Sequence, residues 1–170
     1  AEGLAGMAEA AKANGHEVFL HLPMEPEGDE NPGPNAILVG LDGGETNRRL
    51  AYAFDRLPQA TGVNNHMGSR ATSDPESMLR VLQEVQRRGL AFVDSRTSPL
   101  SVGGALAERL GVPTFTRDVF LDNDPALGAI LRQLGQVERV ARRKGRALAI
   151  GHPYPTTLAA LEEWLPAADR

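Results

Sequence analysis

Apolar residues recur along the chain in two alternating rhythms, one of helical spacing and one of short unbroken runs. Leu4, Met7, Ala8 and Ala11 share one face of a helix over residues 4–14, and Gly15 is placed to stop it. Val18 to Leu22 follows as an apolar strand, ended by Pro23 and Pro26, since proline cannot continue a ladder. Residues 27–44 are mostly Gly, Pro, Asn and acid, with one apolar island at 37–41. That composition predicts a long loop, of the kind that is usually functional or mobile. A helix over 46–57 sets Leu50, Ala53, Phe54 and Leu57 on one face. The run 60–65 then ends in the polar cluster Asn64-Asn65-His66-Met67-Gly68-Ser69-Arg70.

The second half repeats the scheme. Asp74-Pro75, a cap followed by proline at the first helical position, opens a helix with Met78, Leu82 and Val85 inward and Gly89 at its end. Residues 90–93 form a strand closing on Asp94-Ser95-Arg96-Thr97. Ser98-Pro99 opens a helix to Leu110 with Gly103-Gly104 as its weak spot. A short strand over 113–116 leads into the polar segment 117–123, and Asp124-Pro125 repeats the capping device. The helix behind it turns Leu127, Ile130, Leu131, Leu134, Val137 and Ala141 inward and ends at Gly145. Residues 146–150 are the last strand, followed by Gly151-His152-Pro153-Tyr154 and a helix over 156–165 that buries Leu158, Leu161 and Trp164.

Helices alternating with short, wholly apolar strands predict an α/β fold, a parallel sheet with helices outside, in a single domain over residues 1–170. The order helix, glycine, strand, polar cluster starts three times, at Gly15, Gly89 and Gly145. Ligands bind such folds at the carboxyl ends of the strands, whether the sheet is open or closed into a barrel. The polar clusters are therefore expected on one rim.

Composition narrows the chemistry. The 170 residues include no cysteine, which excludes disulfides, thiolate nucleophiles and cysteine-based zinc sites. A net charge of −4 argues against nucleic acid and anionic membrane as partners. The basic run from Arg139 to Arg146 reads as a helix end complementing its dipole. No apolar run approaches the length of a membrane span. The chain opens at Ala1 in mid-helix pattern without an initiator Met, and reads as an excised or processed piece.

At the strand ends, His21 and Glu25 are plausible ligands for a divalent metal, against a plain reading as a capping histidine and a solvated glutamate. His66 sits in a strand-end loop, where function explains a histidine better than packing does. Asn64 and Asn65 suit either turn chemistry or substrate contact. His152, between Gly151 and Pro153, is a turn residue or an acid–base group. Asp94, Arg117, Asp118 and Asp122 could orient a histidine, hold a metal or bind substrate, and Arg117 with Asp118 could equally form an ion pair fixing the rim. No phosphate loop, nucleophile elbow or dinucleotide fingerprint is present.

Taken in order, HLPMEP, NNHMGSR, FVDSRT, RDVFLDN and AIGHPYPTT resemble the divergent polysaccharide deacetylase family, within the NodB-like carbohydrate esterases. The resemblance runs from about Gly15 onward. It implies an irregular (β/α) barrel, a divalent metal (usually zinc), removal of acetyl groups from amino sugars, and a periplasmic or envelope location. His21 matches the first histidine of the ordinary deacetylases' His-x-x-x-His metal motif, and Glu25 replaces the second. His152 matches the late histidine that serves as general acid. His66 stands where the ordinary enzymes keep Arg-x-Pro. The aspartate pair that the family places at its first strand has no counterpart here, so the resemblance implies one strand and part of the site missing from this chain.

The expected function is thus metal-dependent deacetylation of an acetylated carbohydrate or peptidoglycan-like substrate. Its sites are His152 and Asp94 as catalytic groups, His21, Glu25 and His66 on the metal, and Asn65, Ser69, Arg117, Asp118 and Tyr154 on the substrate. One alternative is a carbohydrate-binding or envelope protein that has lost the chemistry, suggested by Glu25. A third is a metal-dependent hydrolase for a phosphoester or glycosidic bond.

Overall fold

Strand β1 (Phe19–Met24) buries Leu20, Leu22 and Met24 on one face and turns Phe19, His21 and Pro23 to the other. The computed structural model describes residues 2–168, so Ala1 lies outside them. The chain divides into two compact units, Ala1–Phe115 and Thr116–Arg170.

In the first unit β1 is joined by β2 (Gly62–Met67), β3 (Ala91–Asp94) and β4 (Thr114–Thr116), in the order β1-β2-β3-β4. The β1–β2 and β2–β3 pairs are parallel, with α2 (Gly43–Arg56) and α3 (Pro75–Arg87) as their connections and α1 (Glu2–Ala13) ahead of them. Helix α4 (Gly103–Leu110) leads from β3 to β4. Leu22, Met24, Ile37, Leu50, Met78, Leu82 and Phe92 are each at most 1% exposed and form the centre of one core. Burying such a side chain contributes about 1.5–3 kcal/mol.

Two details differ from the pattern read in the sequence. Pro23 does not end β1 but lies within it, tolerated because β1 is an end strand of the sheet. The apolar island stays within the loop, as its composition predicts, and Ile37 bridges Met24, donating to the Pro23 carbonyl (2.8 Å) and accepting from the Glu25 amide (2.9 Å). Residues 98–102 are not helical. The Ser98 and Ser101 hydroxyls bond locally, to the Leu100 and Gly103 amides, and α4 starts only at Gly103.

Gly62 marks a close approach. A Cβ there would lie 2.2 Å from the Phe19 ring, which crosses the strand on the face opposite the core. Gly62→Ala is expected to destabilise the protein by about 1–3 kcal/mol, as overpacking does. A lowered midpoint with unchanged slope in urea unfolding would record it; an unchanged midpoint would contradict it.

The second unit carries a parallel pair, β5 (Val119–Phe120) and β6 (Ala149–Ile150), with α5 (Leu127–Lys144) between them and α6 (Pro155–Ala168) after. Val119, Leu121, Ile130, Leu134, Val140 and Ala160 form its core, and the Trp164 indole donates to Glu138 (2.6 Å). Strand β5 lies inside the segment read as a polar cluster. Asp124 is not the helix cap: it accepts from the Ala126 amide in a local turn, and Ala126 is the N-cap residue. Leu127 and Leu158, expected inward, are 40% and 50% exposed.

Candidate functional site

Strand alternation sets the first constellation. On β1 and β2 the residues facing away from the core include His21, Pro23, Asn64 and His66, with His21 registered on Asn64 and Pro23 on His66. His21 Nε2 and His66 Nδ1 lie 3.0 Å apart, with ring centroids 4.8 Å apart and edge to face. His21 is exposed and His66 half-buried, so both reach solvent, His21 from the middle of β1 and His66 from near the end of β2.

Behind the pair the strand ends are laced together. Glu25 accepts from Arg70 Nη1 (2.8 Å) and from the Val39 amide (2.6 Å), one bond per carboxylate oxygen. Its carbonyl accepts the Arg70 and Ala71 amides, and Ser69 Oγ accepts the Glu27 amide (2.8 Å). Glu25 and Ser69 thus tie the loop after β1 to the loop after β2. Asn65, 1% exposed, accepts the Ser95 amide (2.8 Å) and donates to the Met67 carbonyl (2.7 Å). Asp94 is 3% exposed; one oxygen accepts the Arg96 amide, the other the Ser101 hydroxyl and the Gly104 amide. That geometry commits Asp94 to holding the β3–α4 turn, and Asn65 to holding the mouths of β2 and β3.

The second unit holds the other constellation. Asp122 is buried at the end of β5 and accepts three times, from the His152 amide (2.5 Å), His152 Nδ1 (3.0 Å) and the Thr157 hydroxyl (2.9 Å). Burial pushes its carboxyl up, but the bonds from His152 and Thr157 outweigh this and hold it below the usual aspartate range. The His152 ring stacks on Tyr154 (centroids 5.0 Å) and meets Phe120 edge-on (5.6 Å), while the Arg117 guanidinium lies over the Phe120 ring (5.1 Å). Tyr154 keeps 45% of its surface exposed. Asp118 accepts from Lys144 (2.7 Å) and from the Leu148 amide (3.0 Å), which hold its carboxyl low as well.

These two aspartates make stability depend on pH. Both carboxyls are depressed in the folded state, so the unfolded chain binds more protons in acid. Their contribution is complete above the ordinary aspartate value of about 3.9 and is lost as pH falls through the lower folded values. Thermal midpoints are expected to hold steady from neutral pH to about 5 and fall below about 4. In Asp122→Asn that acid decline should be shallower; an identical decline would contradict the assignment.

The donor set can be tested against a divalent metal. Two imidazole nitrogens on one tetrahedral zinc, each roughly 2.0–2.1 Å from the ion, stand about 3.3–3.4 Å apart. The observed 3.0 Å is within a small ring rotation of that, and the proton shared by the two nitrogens is what a cation would replace. His21 and His66 therefore fit as two donors. Among the described residues no group of three or more His, Cys, Asp or Glu side chains is gathered to hold a metal ion. Glu25, expected as a ligand, has both oxygens engaged by Arg70 and Val39.

A family model described as divergent polysaccharide deacetylase matches residues 1–170. The chain belongs to the divergent polysaccharide deacetylase family. Within that family's reach, the chain is 36% identical over 157 residues to an uncharacterized protein of Haemophilus influenzae, covering 92% of this chain and 56% of that one. It is 37% identical over 157 residues to the uncharacterized protein YibQ of Escherichia coli, covering 92% and 49%. The chain thus spans about half the length of the curated relatives it matches. A crystal structure of an uncharacterized protein from Agrobacterium tumefaciens superposes with a TM-score of 0.91 at 32% identity, over 95% of this chain and 66% of that one. In this family member, Asp122 is one of four candidates the sequence leaves open; the pairing with His152 across 30 residues distinguishes it.

Proposed function

We propose that this divergent deacetylase is a metal-dependent hydrolase that removes acetyl groups from an acetylated carbohydrate. The observation that carries the reading is the His21–His66 pair, two imidazole nitrogens 3.0 Å apart on adjacent strands of a family member. His21 and His66 would hold the metal, zinc by the chemistry of the donors. When bound, a divalent metal supplies Lewis acidity that polarises the acyl carbonyl and acidifies water.

The remaining work falls to the chain's own groups. Asp122 takes the Nδ1 side of the His152 ring and fixes its orientation, which leaves Nε2 to give a proton to the departing amine. Tyr154 offers an exposed aromatic face for a sugar ring. Glu25, Asn65, Ser69, Asp94 and Asp118 act by holding loops in place, and no residue of this chain is assigned the role of base. The irregular (β/α) barrel, the envelope location and a peptidoglycan-like substrate belong to the same proposal. Zinc content and acetate release by the native protein on chitooligosaccharides or peptidoglycan fragments test it. Neither metal nor acetate from folded protein would sink it.

A second reading, a carbohydrate-binding protein without turnover, is favoured by one observation, the engagement of both Glu25 oxygens by Arg70 and the Val39 amide. Sugar binding unchanged by chelator, with no acetate released, would select it.

A further inference from the structure

Two residues other than glycine take left-handed backbone at neighbouring strand mouths, Met67 (φ 53°) as the last residue of β2 and Arg96 (φ 49°) after β3. Such a conformation strains a side-chain-bearing residue and persists only where its surroundings over-determine it. At Met67 the surroundings are specific. Its carbonyl accepts two side-chain donors, Asn65 Nδ2 (2.7 Å) and Thr97 Oγ1 (2.8 Å), and Gly68 continues the reversal at φ 86°. The Asn65 amide oxygen accepts the Ser95 amide (2.8 Å), one residue before Arg96. The Asn65 side chain therefore spans both mouths and bonds to the backbone of each.

His66 lies between Asn65 and Met67. A ring in that position takes its direction from the backbone on either side. If Met67 relaxed to an ordinary extended or right-handed conformation, the chain would leave β2 along another path and carry His66 away from His21.

We propose that Asn65 is a positioning residue: by holding Met67 in the left-handed conformation, it keeps the His66 ring against His21. Asn65 acts through its neighbours, with its own polar atoms buried and bonded to the Met67 carbonyl, the Thr97 hydroxyl and the Ser95 amide. The consequence for metal affinity rests on the functional reading above, but the consequence for ring geometry does not.

Two variants and a rescue test it. Asn65→Asp keeps the acceptor for the Ser95 amide and removes the donor to Met67, and Asn65→Ala removes both. Each is expected to lose the nuclear Overhauser contacts between the His21 and His66 rings in metal-free protein. Each is also expected to weaken zinc binding, measured by competition with a chelating indicator, by about 10–100-fold, as loss of a supporting hydrogen bond does. Adding Met67→Gly should restore most of both, because glycine takes positive φ without strain. A purely structural role for Asn65 would not be rescued by a glycine two residues away. Retained ring contacts in folded Asn65→Asp, or no rescue by Met67→Gly, would overturn the proposal. Should Asn65→Ala fail to fold, recovery of folding in the double variant supports the link and continued failure opposes it. Absence of zinc binding in the wild-type protein would remove the metal reading alone, while the ring contacts still decide the role of Asn65.

Discussion

Alanine at His66 or at His21 is expected to lower acetate release by about three orders of magnitude or more without unfolding the protein. The size follows from the chemistry proposed: Lewis-acid stabilisation is worth several kcal/mol, and each 1.4 kcal/mol is about tenfold in rate. Removing one of two imidazole donors should forfeit most of it. The fold should survive because His21 is exposed and His66 half-buried, and neither contributes to the apolar core. Surface substitutions of that kind usually change stability by less than about 0.5 kcal/mol. The double variant should be little worse than either single one, since groups that act as a unit are not additive. Zinc content and acetate release measured on the same preparations check this; a His66→Ala protein that keeps both metal and activity would contradict it.

His152→Gln is expected to reduce kcat by about 10²–10⁴-fold, the usual contribution of a positioned acid, while zinc content stays unchanged. The imidazole is half-exposed and bonded to a buried carboxylate, so the protein loses one hydrogen bond at most from its ring. Asp122→Asn is expected to fall in the same range for a different reason. An asparagine amide meets the His152 and Thr157 donors with one acceptor instead of two. The ring then loses its fixed orientation. Both variants should lower kcat with KM little changed. A full-rate His152→Gln enzyme would remove His152 from the mechanism.

Some of this was open to reading in the sequence and some was not, for identifiable reasons. Asp74-Pro75 opens α3 as its residue types predict, with the Asp74 carboxylate on the Ser77 amide. Asp124-Pro125 has the same letters and a different outcome, because Asp124 spends its acceptor on Ala126 and delays the helix to Leu127. Ser98 to Val102 looked helical but is rich in hydroxyls that bond their own backbone. The strand at Val119 and Phe120 is two residues long and hidden among charged neighbours, below what periodicity can detect.

The site divides the same way. His21, His66 and His152 stand out because histidines at strand ends are better explained by chemistry than by packing. The partners that give them direction do not stand out. His66 finds His21 across 45 residues and His152 finds Asp122 across 30, pairings that depend on strand register and not on local spacing. Asn65 and Ser69 carry the residue types of substrate contacts, yet tertiary packing turns Asn65 inward and gives Ser69 the Glu27 amide. Glu25 is the clearest case. Its place with His21 at one strand mouth, and the resemblance to a metal motif, suggest a ligand, and only the fold reveals that Arg70 and the Val39 amide engage its two oxygens.

The proposed metal-dependent removal of acetyl groups has His21 and His66 as its metal ligands. It is tested most directly by assaying acetate release from chitooligosaccharides with the native protein after exhaustive chelation, and again after stoichiometric zinc is returned. The account predicts loss of release on chelation and recovery with zinc in the wild type, and no recovery in His66→Ala. Release that persists in the metal-free protein, or none from the zinc-loaded folded protein, would contradict it.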